Sequence, residues 1–330
     1  SGRLRNFQIF HFTCDSVYKW WGGGGDSKIT SKSTKDLTIG YFADGPWSHQ
    51  ALDKLLADST LQVAFVCARY DKPDPVLREM ASENKIDFLT HPEINSEAFL
   101  DSVSSFGCDL FISMSFNQIF RKRLLEYPPE KTINCHAGKL PFYRGRNILN
   151  WALINDESEF GITVHYMDEG IDTGDIIHQK LYPIFDEDDY FSLLERAYSG
   201  CAELLYQAVK LLQSGTAKRT PQQLIHPEGF YCSDRKEGDE ILDWNQSSRE
   251  VFNFVRAICL PGPQAKTFLN KNEILINHVE CIPNAPIYKG IPGAVLKVEK
   301  DFFIVKTEDS FVKVLEWSGD LKIKVGARLQ

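Results

Sequence analysis

The chain has 330 residues, 43% hydrophobic and 25% charged, with a formal net charge of −8. That composition is globular and long enough for two domains, and the charge argues against a surface that tracks a phosphate backbone throughout, since such binding needs clustered Lys and Arg. No apolar stretch approaches the ~20 residues of a membrane-spanning helix, and the eight cysteines form no C-x-x-C, so the chain reads as a soluble cytoplasmic protein with reduced thiols.

Residues 1–36 differ in composition from the rest. An aromatic-rich stretch (7–21) runs into four consecutive glycines (22–25) and then a Ser/Thr/Lys run, the pattern of an appended or disordered segment with a flexible linker. From Leu37 the punctuation becomes regular. Strands are expected at 37–43, 61–67, 86–89 and 110–115, with a turn at 44–48 leading into a helix through 56, further helices at 75–84 and 96–106, and a fifth strand opening at 132–134. Alternation at this spacing builds a mostly parallel α/β sheet whose ligand crevice lies beyond the carboxyl ends of its strands. A short helix (147–155), strands at 161–167 and 175–184, and a long helix (190–212) complete a domain ending near 215.

Residues 216–240, with two prolines and few apolar clusters, are expected to be a linker. A helix at 250–258 and short β-rich segments (274–276, 294–298, 302–306, 312–316) then predict a small barrel-like domain over 241–330. No His/Cys/Asp spacing matches a metal site; His165 and His178 fall in separate strands.

Two segments carry chemistry. Asn134-x-His136-Ala-Gly-Lys-Leu-Pro falls at the end of the fifth strand, and Met-Asp-Glu-Gly-Ile-Asp172-Thr-Gly-Asp follows the sixth. An imidazole accepts or donates protons near neutral pH, a primary amide offers N–H to an oxyanion without titrating, and a carboxylate orients or charges the imidazole. Together these serve acyl transfer to an amine, which must shed a proton while a carbonyl oxygen gains charge.

The pair of motifs resembles the active site of the folate-dependent formyltransferases, with the Rossmann-like sheet of that family over about 37–215 and its smaller C-terminal domain beyond. The resemblance implies Asn134, His136 and Asp172 as the catalytic residues and 10-formyltetrahydrofolate as the formyl donor. It implies pterin contacts, largely through backbone groups, at Asn117, Gln118, Ile119 and Phe120 and at Met167, Asp168, Glu169, Gly170 and Ile171.

Within the family, Tyr143-Arg-Gly-Arg146 with Leu149-Asn-Trp151, and the turn Asp44-Gly-Pro-Trp47-Ser48, look closer to the enzymes that formylate amino sugars on a nucleoside diphosphate, with dTDP expected. That likeness implies cell-surface polysaccharide synthesis such as O-antigen assembly, a possible homodimer, and acceptor contacts at Trp47, Ser48, Lys139, Phe142, Tyr143, Arg144, Arg146, Asn150 and Arg235. A nucleic-acid partner is not expected, because residues 217–330 hold 16 Lys and Arg against 15 Asp and Glu. Methionyl-tRNA formylation is the alternative. Hydrolysis of the folate and simple ligand binding stand further off.

Overall fold

The computed structural model describes residues 35–320 and 322–330, so the segment expected to be appended or disordered falls outside the described residues except for its last two; of these, Lys35 pairs with Asp109 at 2.8 Å. Strand β1 (Leu37–Ala43) is buried along nearly its whole length, as a continuous apolar run in a parallel sheet should be. Helix α1 (Pro46–Leu56) opens with proline in its first turn, where the missing N–H costs nothing. Strand β2 (Leu61–Ala68) leads to α2 (Pro75–Glu83), started by the Asp74 carboxylate, which accepts from the amides of Val76 and Leu77. Strand β3 (Asp87–Thr90), helix α3 (Glu97–Ser104), β4 (Leu110–Met114), the short α4 (Lys122–Leu125) and β5 (Thr132–His136) follow. All pairings among these five strands are parallel.

The chain then turns back. After β6 (Arg144–Gly145) and α5 (Ile148–Ile154), strand β7 (Glu159–Tyr166) pairs antiparallel with β5, and β8 (Ile176–Pro183) antiparallel with β7. The result is one seven-stranded sheet in the order β3-β2-β1-β4-β5-β7-β8. Helix α6 (Tyr190–Gln213), started by a reciprocal Asp189/Ser192 capping box, packs against α1. A separate cluster centres on Phe42, whose ring meets those of Phe120, Phe111 and Phe65 edge-on at 4.9, 5.2 and 5.5 Å. Each fully buried ring contributes roughly 1.5–3 kcal/mol.

The stretch expected to be a linker is more structured than that. It carries a 3-10 turn at Gln222–Leu224 and a two-residue strand, β9 (Tyr231–Cys232), that pairs with β6 beside the crevice. A strand that short has no periodicity to read. Helix α7 (Ser248–Ile258), with a Ser247/Glu250 capping box, leads into an antiparallel sheet. Its strands β10 (Ala265–Leu269), β11 (Asn272–Cys281), β12 (Val295–Val298), β13 (Phe303–Lys306) and β14 (Phe311–Ser318) lie in the order β10-β11-β14-β13-β12.

The C-terminal residues close this sheet. Gly326 and Ala327 bond to Val295 on one edge strand, and Gln330 exchanges bonds of 2.8 and 2.9 Å with Phe268 on the other. Both edges are thereby covered, which removes the exposed ladders that invite aggregation. The fold is α/β: a mostly parallel Rossmann-like sheet followed by a β-rich, barrel-like domain.

Asn150 joins the two sheets' helices. Its amide donates to the carbonyl of Ala257 in α7 at 2.5 Å, in buried surroundings. Asn150→Ala strands that carbonyl and is expected to cost about 1–3 kcal/mol, read as a lower Tm. An unchanged Tm would show that this bond adds nothing to stability.

Candidate active site

The crevice at the carboxyl ends of β1, β4 and β5 is a cavity of about 530 Å³, within the range of small-molecule sites. Alternation along β5 sets its chemistry. Asn134 and His136 share one face, while Cys135 points into the core against α6. Asp172 comes from the loop between β7 and β8.

The geometry fixes the imidazoles. His136 Nε2 donates to the carbonyl of Tyr143 at 2.6 Å, since a carbonyl can only accept, and this turns Nδ1 toward Asp172 Oδ2 at 3.6 Å. That separation is too long for a hydrogen bond, so Nδ1 stays open. His165, directly across the ladder from Asn134, donates from Nδ1 to the Tyr166 carbonyl at 2.8 Å. Its Nε2 lies 3.2 Å from Asn134 Nδ2 and 3.6 Å from Asp172 Oδ1. One N–H of the Asn134 amide is thus engaged and the other remains to donate.

Asp172 is flanked by both imidazoles and accepts from the amide of Gly145 at 2.9 Å. Burial alone raises its pKa, but His136, His165 and the Gly145 amide outweigh burial and hold the carboxyl well below the usual carboxylate range. Ser115, Tyr143, Asn147 and Asp172 all adopt left-handed backbone around this cleft. Each costs about 1–3 kcal/mol, a cost that gathers where function needs a fixed geometry.

Of the positions expected to meet the pterin, Asn117, Gln118, Ile119, Phe120, Met167, Asp168, Gly170 and Ile171 line this cavity and Glu169 does not. Their side chains differ in availability. Ile119 and Ile171 are 70% and 59% exposed, unusual for large apolar groups, whereas Phe120 belongs to the Phe42 cluster. The side-chain amide of Gln118 is engaged within the loop, donating to the His91 carbonyl at 2.8 Å and accepting from the Ile94 amide at 3.0 Å.

The expected acceptor residues divide. Trp47, Arg146 and Asn150 line the cavity; the others do not. Ser48 is fully buried and bonds the Gly45 carbonyl inside the first turn of α1. Lys139 pairs with Glu159 at 2.6 Å, Phe142 packs on His226 and Phe230, and the Tyr143 hydroxyl bonds Glu157. Arg144 is buried against Gln222, and Arg235 lies over the rings of Trp151 and Phe254. Lys139, Arg144 and Arg235 do not face the cavity, whereas the exposed Arg146 does. The sequence shows charge and loop position, and neither reveals which partners a guanidinium has already taken.

Other cavity residues were not singled out as site residues: His165, Arg69, Tyr190 and Asp234, with Asp44 named only as part of a turn. Burial pushes the Asp44 carboxyl up, with Arg69 3.3 Å away pulling it back. His165 would have been found by the register of β7 on β5, which two histidines considered only as metal ligands could not supply. Among the described residues no group of three or more His, Cys, Asp or Glu is placed to hold a metal ion.

A Rossmann-like domain with an amide, two imidazoles and an ionised carboxylate at its strand ends is built for group transfer with proton movement. Residues 42–209 match the family described as Formyl transferase, and residues 235–328 match Formyl transferase, C-terminal domain. The chain is 33% identical over 255 residues to a methionyl-tRNA formyltransferase of Syntrophus aciditrophicus, covering 75% of this chain and 79% of that one. A methionyl-tRNA formyltransferase of Halothermothrix orenii is 31% identical, with coverage of 85% and 92%. Among solved structures, an N-formyltransferase of Helicobacter canadensis, in complex with folinic acid and dTDP-3-aminofucose, superposes with a TM-score of 0.62 at 20% identity over 86% of this chain and 99% of that one. The chain belongs to the formyl transferase family and is an enzyme that uses 10-formyltetrahydrofolate.

The expected sugar-nucleotide acceptor is corrected by these relatives. Proteins named methionyl-tRNA formyltransferase match at about 30% identity over most of both chains, whereas this sugar-binding structure, at 20%, shares only the fold. Of the cations that suggested a diphosphate, Lys139, Arg144 and Arg235 are engaged by Glu159, by Gln222 and by the Trp151 and Phe254 rings, while Arg146 lines the cavity. With that acceptor goes the expected place in polysaccharide synthesis.

Proposed function

We propose that the protein formylates the α-amino group of methionyl-tRNA. The acceptor reading rests on the relatives of that name, which match this chain across both of its domains. The exposed cations Lys322, Lys324 and Arg328 on the closing C-terminal segment, none in an ion pair among the described residues, offer phosphate contacts that a neutral domain total conceals. No helix among the described residues is long and apolar enough to cross a membrane, and the cysteines among them are free thiols; a cytoplasmic reaction fits both.

The crevice suits the formyl donor. The exposed Ile119 and Ile171 offer apolar faces for a flat ring, with the backbone of 115–120 and 167–172 beside them. Bound there, the folate supplies an activated formyl carbon. His136 Nδ1, the open nitrogen, takes the proton from the attacking amine and returns it to the folate nitrogen as the bond from that nitrogen to the formyl carbon breaks, so that the new amide forms and tetrahydrofolate leaves. Asp172 stabilises the resulting imidazolium across 3.6 Å, as a fixed opposite charge in a partly dry site does. The unengaged N–H of Asn134 donates to the carbonyl oxygen as it gains charge, and His165 holds the amide in that orientation.

The test is to supply 10-formyltetrahydrofolate with methionyl-tRNA, and separately with amino sugars on dTDP and UDP, and weigh each acceptor. A gain of one formyl group on methionyl-tRNA, weakening steeply with salt, is expected. Formate release with every acceptor unmodified, or a formylated sugar beside unmodified methionyl-tRNA, overturns the proposal.

A further inference from the structure

We propose that Gln222, acting with Arg144, is a positioning residue for Asp172. The inference rests on the reading of Asp172 as the ionised partner of His136 in formyl transfer. Gln222 is 2% exposed and belongs to the 3-10 turn between the two sheets. Its Nε2 donates to the main-chain carbonyls of Asp172 and Gly174, both at 2.8 Å. Its Oε1 accepts from Arg144 Nη2 at 2.7 Å and Nε at 3.1 Å. Both donors and both lone pairs of the amide are therefore used.

These bonds close a ring. Arg144 precedes Gly145, whose N–H bonds the Asp172 carboxylate at 2.9 Å. Asp172 is thus gripped at its carbonyl by Gln222 and at its carboxylate by Gly145, and Arg144 joins the two grips. The guanidinium is anchored in turn by the Glu228 carbonyl at 2.9 Å, and β6 is fixed by its pairing with β9.

The loop needs such a grip. Asp172 has φ +55°, a conformation a non-glycine residue does not keep unaided, and a Cβ on Gly174 would lie 1.7 Å from the Tyr166 carbonyl. Without the clamp the backbone relaxes and the carboxylate drifts from its two imidazoles. An error of about 1 Å in a reacting group costs on the order of 100-fold in rate.

Gln222→Glu tests this sharply, because it keeps oxygens for Arg144 while setting a second oxygen against the two carbonyls. Gln222→Met, an apolar replacement of similar length, serves if the glutamate variant does not fold. The expected result is kcat reduced by about 100-fold with the KM for folate changed less than about threefold, and no further loss when Asp172 is already asparagine. Wild-type kcat in a folded variant, or an equal fold-loss added to that of Asp172→Asn, overturns the inference. Wild-type turnover in Asp172→Asn alone brings down the reading of Asp172, and the clamp's purpose with it.

Discussion

Asp172→Asn is expected to lower kcat for formyl transfer by roughly 10³-fold while leaving folate affinity within about threefold, because the work of the carboxylate lies in the transition state. Asparagine preserves the shape and still accepts from the Gly145 amide. What it removes is the negative charge facing His136 and His165 at 3.6 Å each. Single-turnover kinetics and a folate titration separate the two effects, and near-normal turnover would remove Asp172 from the chemistry. Stability carries a second signature. The native pKa of Asp172 is depressed, so its contribution is full above the unfolded carboxylate value of about 3.9 and is lost as pH falls through the lower native value. The gap in stability between wild type and variant should therefore close toward acid pH.

Much of the parallel sheet was legible because buried strands and amphipathic helices have periods that survive in one dimension. The limits of β1, α1 and α6 follow from proline, capping residues and apolar spacing. The hairpin of β10 and β11 was missed in its first half for a physical reason. Asn270 and Lys271 both adopt left-handed backbone in its turn, a conformation announced in sequence by Asn-Gly and not by Asn-Lys. The strap carrying Gln222 and β9 was read as a linker because its order comes from side-chain bonds to residues almost eighty positions away. Asn134, His136 and Asp172 could be singled out because adjacent motifs carry them. His165 and Gln222 could not, since their partners are set by register and by a loop return that only the folded chain defines. The acceptor was misjudged because it was read from the likeness of two short segments, 143–151 and 44–48, whereas the relatives that correct it match over most of the chain.

Gly138→Ala is expected to reduce kcat by about 100-fold through His136. A Cβ at this position would lie 2.4 Å from the Tyr143 carbonyl oxygen and 2.5 Å from His136 Nε2, inside the space their hydrogen bond occupies. The carbonyl belongs to main chain and the imidazole is a rigid ring, so neither yields as a flexible side chain would. The ring must rotate or the 138–143 turn must shift, and either breaks the bond that commits the proton to Nε2 and keeps Nδ1 open for the amine. The overpacking also costs roughly 1–3 kcal/mol of stability. Gly215→Ala separates the two consequences. That glycine has φ +69° and nothing within 4 Å of its Cβ position, far in sequence from the catalytic motifs. Its alanine variant should lose about 1–2 kcal/mol from the left-handed backbone alone and keep wild-type kcat. If Gly138→Ala behaves the same way, losing Tm but not turnover, the Tyr143 carbonyl is a packing partner of His136 and the imidazole's proton is set by something else. If kcat collapses only in the Gly138 variant, the absence of one methyl group is what gives this imidazole a free nitrogen.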